Sequence, residues 1–180
     1  MFVSPNTFPV KSKIIIPNGA PETEEHIQWI IDNCSACINV SDSQCVTFEL
    51  VKRGFPSFWA PVHEIGIWGY APFYLAAMVY DQFASCDKPI LIHCHACVNR
   101  SPSIAYAILA SEGMDDSTIQ QHLNEKVYIQ LFHRNIRQGY IPADVFDFLK
   151  ARKQYPTYSL QGLLQIIKSP NLIYKKPTAA

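Results

Sequence analysis

The chain has 180 residues, of which 48% are hydrophobic and 17% are charged, and its 15 basic residues balance its 15 acidic ones. This length suits a single domain. The apolar fraction excludes intrinsic disorder over most of the chain, because disorder requires low hydrophobicity and high net charge. A net charge of zero also argues against a broad basic face that would hold DNA or RNA. It is compatible with a small, local anion-binding site.

The six cysteines are too few for a disulfide scaffold. The first residues show no basic segment followed by an apolar one, as a secretory signal would require. The longest apolar runs, such as residues 74–80, are far shorter than the ~18 residues of a membrane span. We therefore expect a cytoplasmic protein with free thiols and no membrane association.

The first half of the sequence alternates strand patterns with a helix pattern. Short apolar runs rich in β-branched or aromatic residues predict strands at 14–16, 36–40, 47–51 and 58–62. A helix is predicted over residues 23–33, where acidic residues occupy the first turn and Ile27, Ile30 and Ile31 share one face.

Helix patterns dominate the second half. Apolar residues at helical spacing predict a helix over 70–85, and the apolar run at 89–93 is typical of a central parallel strand covered on both faces. Further helices are expected over 102–112, after a cap at Asp116 or Ser117, and from Pro142 onward. Strands that alternate with helices predict an α/β fold with a mainly parallel central sheet flanked by helices.

Residues 93–102 lie between that central strand and the next helix, and they predict a phosphate-binding loop. Ligands of open α/β sheets bind at the carboxyl ends of strands, and helix N-termini attract anions. The backbone N–H groups of such a loop can converge on one tetrahedral oxyanion, and an arginine can bind two of its oxygens. The expected substrate contacts are His95, Ala96, Cys97, Val98, Asn99 and Arg100.

Cys94 would lie at the floor of this loop. A thiol with a pKa near 8.5 is only about 3% thiolate at pH 7, whereas a thiol with a pKa near 5 is ~99% thiolate. The helix N-terminus and Arg100 favour the thiolate, and Ser101 can donate a hydrogen bond to it. The implied reaction needs no metal or other cofactor: the thiolate attacks phosphorus, and water hydrolyses the resulting cysteinyl-phosphate.

The His-Cys-x5-Arg-Ser sequence of residues 93–101 resembles the signature of the cysteine-based protein tyrosine phosphatases, and particularly their dual-specificity branch. Residues 14–19 and 36–42 resemble the early strands of that branch, 103–113 its helix after the loop, and 137–149 weakly its closing helix. The resemblance implies a phosphatase catalytic domain over 14–154, between extensions at 1–13 and 155–180. It also implies a phosphorylated protein as partner, hydrolysed at phosphotyrosine and at phosphoserine or phosphothreonine.

Two positions depart from the pattern of this family. Cys97 takes the place of a glycine three residues after the nucleophile, and cysteine reaches positive φ less cheaply than glycine. The family's general acid is an aspartate, but no aspartate lies between Asp42 and Asp81 here. Counting back about 30 residues from the nucleophile leads to Glu64, our predicted general acid, with the adjacent His63 as its substitute.

Three features of the cysteines and histidines have alternative interpretations. Cys97 either fills the glycine position or forms a reversible, protective disulfide with Cys94. His93 is expected to orient the cysteine loop from behind rather than to touch substrate. The histidines and cysteines of the loop, together with the Cys-x-x-Cys at residues 34–37, also suggest zinc, but the charge of Arg100 opposes a dication there.

Other substrates and roles also remain open. The Asn99-Arg100 pair resembles the loop of RNA 5′-triphosphatases in the same superfamily, so an RNA 5′ end is an alternative partner, although the neutral charge opposes a long RNA-tracking groove. Phosphoinositides are disfavoured because the branch that hydrolyses them usually has lysines in this loop. A non-catalytic phosphate-binding module would keep the loop but lack a general acid.

Overall fold

A computed structural model describes residues 13–64, 66–123 and 126–152 of the chain. The predicted extensions at 1–13 and 155–180 therefore lie outside the described residues, apart from residue 13. None of the helices in the described ranges is long and apolar enough to cross a membrane. The elements follow in the order β1 (Ile14–Ile15), α1 (Glu24–Asn33), β2 (Ala36–Asn39), α2 (Cys45–Lys52), β3 (Ser57–Trp59), α3 (Ala71–Phe83), β4 (Ile90–His93), α4 (Arg100–Ser111), α5 (Asp116–Leu123), α6 (Lys126–Arg137) and α7 (Val145–Ala151).

The four strands form one sheet in the order β1-β4-β2-β3, and every pair is parallel. β4 lies in the interior, where Ile90 pairs with Ile14 of β1 on one side and with Ala36 of β2 on the other. All four residues of β4 are buried, as expected for a strand covered on both faces. The α/β fold with a parallel central sheet is thus confirmed.

Alternate residues of the strands point to opposite faces of the sheet and into two hydrophobic clusters. Ile38 and Ile92 belong to the larger cluster, which also contains buried residues of helices α3 to α7. Cys37 and Leu91 point the other way, into a smaller cluster with residues of α1 and α2. Because side chains alternate, His93 follows Leu91 onto the α1–α2 face at the carboxyl end of β4.

The strand predicted at 47–51 is wrong, because these residues belong to helix α2. The β-branched residues of this stretch favour a strand locally. The buried residues of the helix, however, are Thr47 and Leu50, which are three apart and so share one helical face. Phe48 and Val51 are 71% and 53% exposed. Packing of that face against the sheet therefore overrides the local strand preference.

Three predicted helix starts also require correction. Helix α4 begins at Arg100 rather than at 102, since the Ser103 N–H donates to the Asn99 carbonyl at 3.0 Å. Asp115, rather than Asp116 or Ser117, caps α5, because its carboxylate accepts from the Thr118 N–H at 2.8 Å. The last helix, α7, begins at Val145 after a turn at Pro142. Helix α6 was not predicted, although Ile129, Phe132 and Ile136 follow one another at helical spacing and pack in the core.

Candidate active site

The predicted phosphate-binding loop joins the end of β4 to the start of α4, at the carboxyl edge of the sheet. Backbone hydrogen bonds fix its first residues: the Val40 N–H donates to the His93 carbonyl, and the Ala20 N–H donates to the His95 carbonyl, both at 2.8 Å. The loop is therefore anchored both to the neighbouring strand β2 and to the segment before α1. This places it at the N-terminus of α4, where free N–H groups favour anions.

Cys94 lies beneath the loop with its side chain buried. Its sulfur accepts a hydrogen bond from the Cys97 N–H at 3.2 Å and lies 3.3 Å from the Ser101 hydroxyl oxygen. Hydrogen bonding from the Cys97 side chain, followed by the bonds from Ser101 and the charge of Arg100, lowers the pKa of Cys94 to about 5 despite its burial. A thiol with this pKa is almost entirely thiolate at neutral pH.

This environment predicts the pH dependence of Cys94 alkylation. Because only the thiolate reacts, the rate of iodoacetamide labelling at Cys94 should rise through pH 5 and reach a plateau by pH 7. Labelling at each cysteine is measured by peptide mass spectrometry over pH 4–9. The buried Cys34 is an internal control, because burial raises its pKa to about 12 and it should remain unlabelled.

The matched variant for this measurement is Cys97→Ala, which keeps the backbone N–H but removes the thiol. Since the side chain of Cys97 makes the largest contribution to the lowered pKa of Cys94, the midpoint of alkylation should move to higher pH in the variant. A wild-type midpoint near pH 8.5, the ordinary value for a thiol, would show that the loop does not stabilise the thiolate.

Cys97 adopts the backbone conformation expected of the glycine that it replaces. Its φ is 56°, and among the described residues it is the sole non-glycine with positive φ. A left-handed conformation costs a non-glycine residue on the order of 1–3 kcal/mol. In this conformation the Cys97 N–H points at the Cys94 sulfur, 3.2 Å away. The strained residue thus supplies one of the hydrogen bonds that the thiolate needs.

Arg100 is almost completely buried, and its guanidinium is fixed by groups from two other segments. Nη1 donates to the Val62 carbonyl at 3.0 Å and lies 3.3 Å from an Asp42 carboxylate oxygen. Nη2 lies 3.8 Å from a Glu64 carboxylate oxygen. These contacts hold the guanidinium in one orientation, which is what bidentate binding of two phosphate oxygens requires.

Three ionisable side chains surround this arginine at the rim of the loop. The structure brings the predicted general acid Glu64 and its substitute His63 to this rim, and both are exposed. Asp42 lies at the same rim, and its carboxylate is 3.6 Å from His63 Nδ1. Sequence reasoning missed Asp42, although it follows strand β2 at the carboxyl edge and so shares an edge with the loop.

The rest of the loop divides into exposed and supporting residues. His95, Ala96 and Val98 are exposed and therefore open to a substrate. The Asn99 side-chain oxygen accepts from the Asn135 amide at 2.8 Å. Asn135 also lies 3.3 Å from the Ser103 hydroxyl oxygen, so this side chain of α6 holds the end of the loop against α4. Sequence reasoning missed Asn135, because its partners lie more than 30 residues away.

His93 lies behind the loop. Its Nδ1 is 3.1 Å from the carbonyl oxygen of Cys94. Burial lowers the pKa of His93 to about 4, so the imidazole is neutral at pH 7. Across the described ranges, no three His, Cys, Asp or Glu side chains are grouped closely enough to hold a metal ion. All six cysteines are free thiols.

No family model and no curated protein matches the sequence. Among solved structures, Tk-PTP in its active form is similar, with a TM-score of 0.56 and 14% identity. The alignment covers 77% of this chain and 98% of the Tk-PTP chain. PTPMT1 in complex with PI(5)P has a TM-score of 0.55 and 12% identity, and the alignment covers 80% of this chain and 96% of the PTPMT1 chain. A putative phosphatase from Shewanella putrefaciens has a TM-score of 0.52 and 14% identity, and the alignment covers 84% of this chain and 88% of the bacterial chain. The chain therefore has the fold of these phosphatases, as its loop sequence led us to expect.

Proposed function

We propose that the chain is a cysteine-dependent phosphatase that hydrolyses phosphomonoesters without a metal. The observation that supports this most is the environment of Cys94, whose hydrogen bonds from Cys97 and Ser101 hold it as a thiolate at the N-terminus of α4. A low-pKa cysteine beside a buried arginine suits attack on a phosphate group bound by that arginine. The three similar structures are named as phosphatases or carry the PTP name, which agrees with this chemistry.

The reaction proceeds in two steps. The loop amides and Arg100 bind the phosphate, the Cys94 thiolate attacks phosphorus, and the bond from phosphorus to the leaving oxygen breaks. Glu64 gives that oxygen a proton and becomes a carboxylate. In the second step the carboxylate takes a proton from water as the water attacks phosphorus. The phosphorus–sulfur bond breaks, and Ser101 stabilises the departing thiolate.

Phosphorylated proteins are our proposed substrates, at phosphotyrosine and at phosphoserine or phosphothreonine. The loop has no lysine, and two carboxylates, of Asp42 and Glu64, lie within 4 Å of the Arg100 guanidinium. Negative charge at the rim disfavours polyanions such as a phosphoinositide or a triphosphate RNA end, because like charges repel. A phosphomonoester on a protein side chain brings less charge to this rim.

The test of this proposal is phosphate release with a chelator present. The protein should hydrolyse 4-nitrophenyl phosphate and phosphotyrosine peptides, and EDTA should leave the rate for each substrate unchanged. Triphosphate-ended RNA and a phosphoinositide are the comparison substrates and should release less phosphate. Activity that depends on an added metal would contradict the proposal, as would tight binding of phosphopeptide with no turnover.

The assignment of the general acid predicts a dependence on the leaving group. The Glu64→Gln variant should lose about 10²-fold in kcat on phenyl phosphate, a poor leaving group that needs a proton. It should lose far less on 4-nitrophenyl phosphate, whose leaving group departs as an anion. Asp42→Asn and His63→Gln are the matched variants from the same rim. If either of these shows the leaving-group pattern and Glu64→Gln does not, the general acid is that residue instead.

A further inference from the structure

A cleft of about 430 Å³ adjoins the phosphate-binding loop on the face of the sheet that α1 and α2 cover. A volume of this size is typical of small-ligand sites. His93 and His95, the two neighbours of Cys94 in sequence, both line it. We call it the α1–α2 cleft; its other lining residues are Ala20, Pro21, Glu22, Thr23, Glu24, Ile27, Ser41, Ser43, Cys45, Val46 and Glu49.

A buried histidine leaves one hydrogen-bonding atom unused beside this cleft. His93 is only 1% exposed, and strand alternation turns its side chain to the α1–α2 face. A carbonyl oxygen can only accept, so His93 Nδ1 must donate its proton to the Cys94 carbonyl at 3.1 Å. Nε2 of the neutral ring is therefore an acceptor, and it has no partner among the described residues. An unpaired buried acceptor favours a ligand that donates a hydrogen bond.

The rim of the same cleft carries an excess of negative charge. Three carboxylates line it, those of Glu22, Glu24 and Glu49. Arg53 forms ion pairs with Glu24 and Glu49, so one cation offsets part of their charge. Glu22 is exposed and forms no ion pair within the described ranges. The charge on this rim therefore favours a cation, as does the acceptor behind it.

The N-terminus of α1 also opens at this cleft, and a bare helix N-terminus favours an anion. Here the Thr23 hydroxyl oxygen already accepts from the His26 N–H at 3.2 Å. Glu24 and Glu25 in the first turn further compensate the helix dipole. The Thr23 hydroxyl and the first-turn carboxylates thus weaken the attraction of this helix end for an anion, and the cleft keeps its acidic character.

We propose that the α1–α2 cleft binds a positively charged, hydrogen-bond-donating group of the substrate whose phosphate occupies the loop. An ammonium or guanidinium on a lysine or arginine near the phosphorylated residue fits this chemistry. The inference rests on the proposed function, because the phosphate bound above Cys94 is what places the substrate beside His95 and the cleft. It adds a preference for basic sequence around the phosphorylated residue.

The experiment compares phosphotyrosine peptides that differ at one position. Lysine is exchanged for norleucine, which has nearly the same shape without the charge, at each of the three positions on either side of the phosphotyrosine. At one position or more, kcat/KM should be about 3- to 10-fold higher for lysine, as expected for a partly exposed ion pair. This ratio should fall at high ionic strength, because salt screens exposed charges.

Variants then assign the preference to the cleft. Glu22→Gln should reduce the lysine-to-norleucine ratio, and Glu22→Lys should bring it below one. Glu25→Gln is the matched control, since Glu25 is an exposed carboxylate three residues further on, in the first turn of α1, that does not line the cleft, and its ratio should equal that of the wild type. Because Glu22 is exposed, these changes do not disturb the core.

The outcomes separate this inference from the proposed function. If the wild type does not hydrolyse 4-nitrophenyl phosphate, the proposed function fails, and with it the basis for a substrate subsite. If that substrate is hydrolysed but lysine gives no advantage at any position, the inference alone is wrong. An advantage that Glu22→Gln and Glu25→Gln reduce equally would also contradict it, because it would reflect the general charge of the surface rather than the cleft.

Discussion

Replacing Cys94 by serine should abolish phosphatase activity, with a fall in kcat of about 10⁴-fold or more. The substitution changes one atom and keeps the hydrogen bonds from the Cys97 N–H and the Ser101 side chain available. The Cys97 side chain, followed by Ser101 and Arg100, lowers the pKa of the Cys94 thiol to about 5, but an alcohol starts from a far higher pKa and stays protonated at pH 7. The variant therefore lacks a nucleophile while its phosphate-binding loop remains intact.

Two measurements make this result specific. Turnover of 4-nitrophenyl phosphate gives the loss of activity, and calorimetric titration with a phosphotyrosine peptide should show that the variant still binds. Cys86→Ser is the matched control, because Cys86 is a partly exposed free thiol outside both the loop and the α1–α2 cleft, and it should retain wild-type activity. Appreciable turnover by Cys94→Ser would exclude a cysteinyl-phosphate intermediate.

The loop was predictable from sequence because its parts are contiguous. A buried apolar strand, Cys94, Arg100 and a helix follow one another within about two dozen residues, so each constrains where the next can lie. Helix α2 was not predictable in this way. Its β-branched residues indicate a strand, and only the packing of Thr47 and Leu50 against a distant part of the chain reveals the helix.

The residues that surround the loop were also harder to predict from the sequence, because they belong to distant segments. Asp42, Val62 and Asn135 all support the loop or its arginine, and they come from three segments far apart in sequence. No local pattern marks such residues, because their role depends on which strand ends are neighbours in the sheet. The strand order β1-β4-β2-β3 brings β2, and hence Asp42, beside β4.

The structure also refines what zero net charge means for this protein. The predicted anion-binding site has one buried guanidinium and two carboxylates within 4 Å of it. Anion binding must therefore depend on the backbone N–H groups and the oriented guanidinium rather than on a surplus of cations. We therefore expect the site to hold one phosphate group without attracting polyanions in general.

Arg100 should accordingly be nearly as important as Cys94, but for a different step. Arg100→Ala should lower kcat/KM by about 10³- to 10⁴-fold, because it removes the group that orients and neutralises the phosphate in the transition state. Arg100→Lys should be almost as damaging: an ammonium keeps the charge but cannot bind two oxygens in one plane. Arg137→Ala, at an exposed arginine of α6, is the matched control and should remain active.

Alkylation distinguishes the loss of phosphate binding from the loss of the nucleophile. The charge of Arg100 is the smallest of the influences on the pKa of Cys94, after the hydrogen bonds from Cys97 and Ser101. Arg100→Ala should therefore keep a reactive thiolate at pH 7, with an alkylation midpoint close to that of the wild type, while phosphate no longer protects Cys94 from iodoacetamide. A midpoint that rose to the ordinary thiol range would show instead that Arg100 acts mainly by ionising Cys94. Near-normal kcat/KM in Arg100→Lys would show that charge alone, without the planar geometry, is enough.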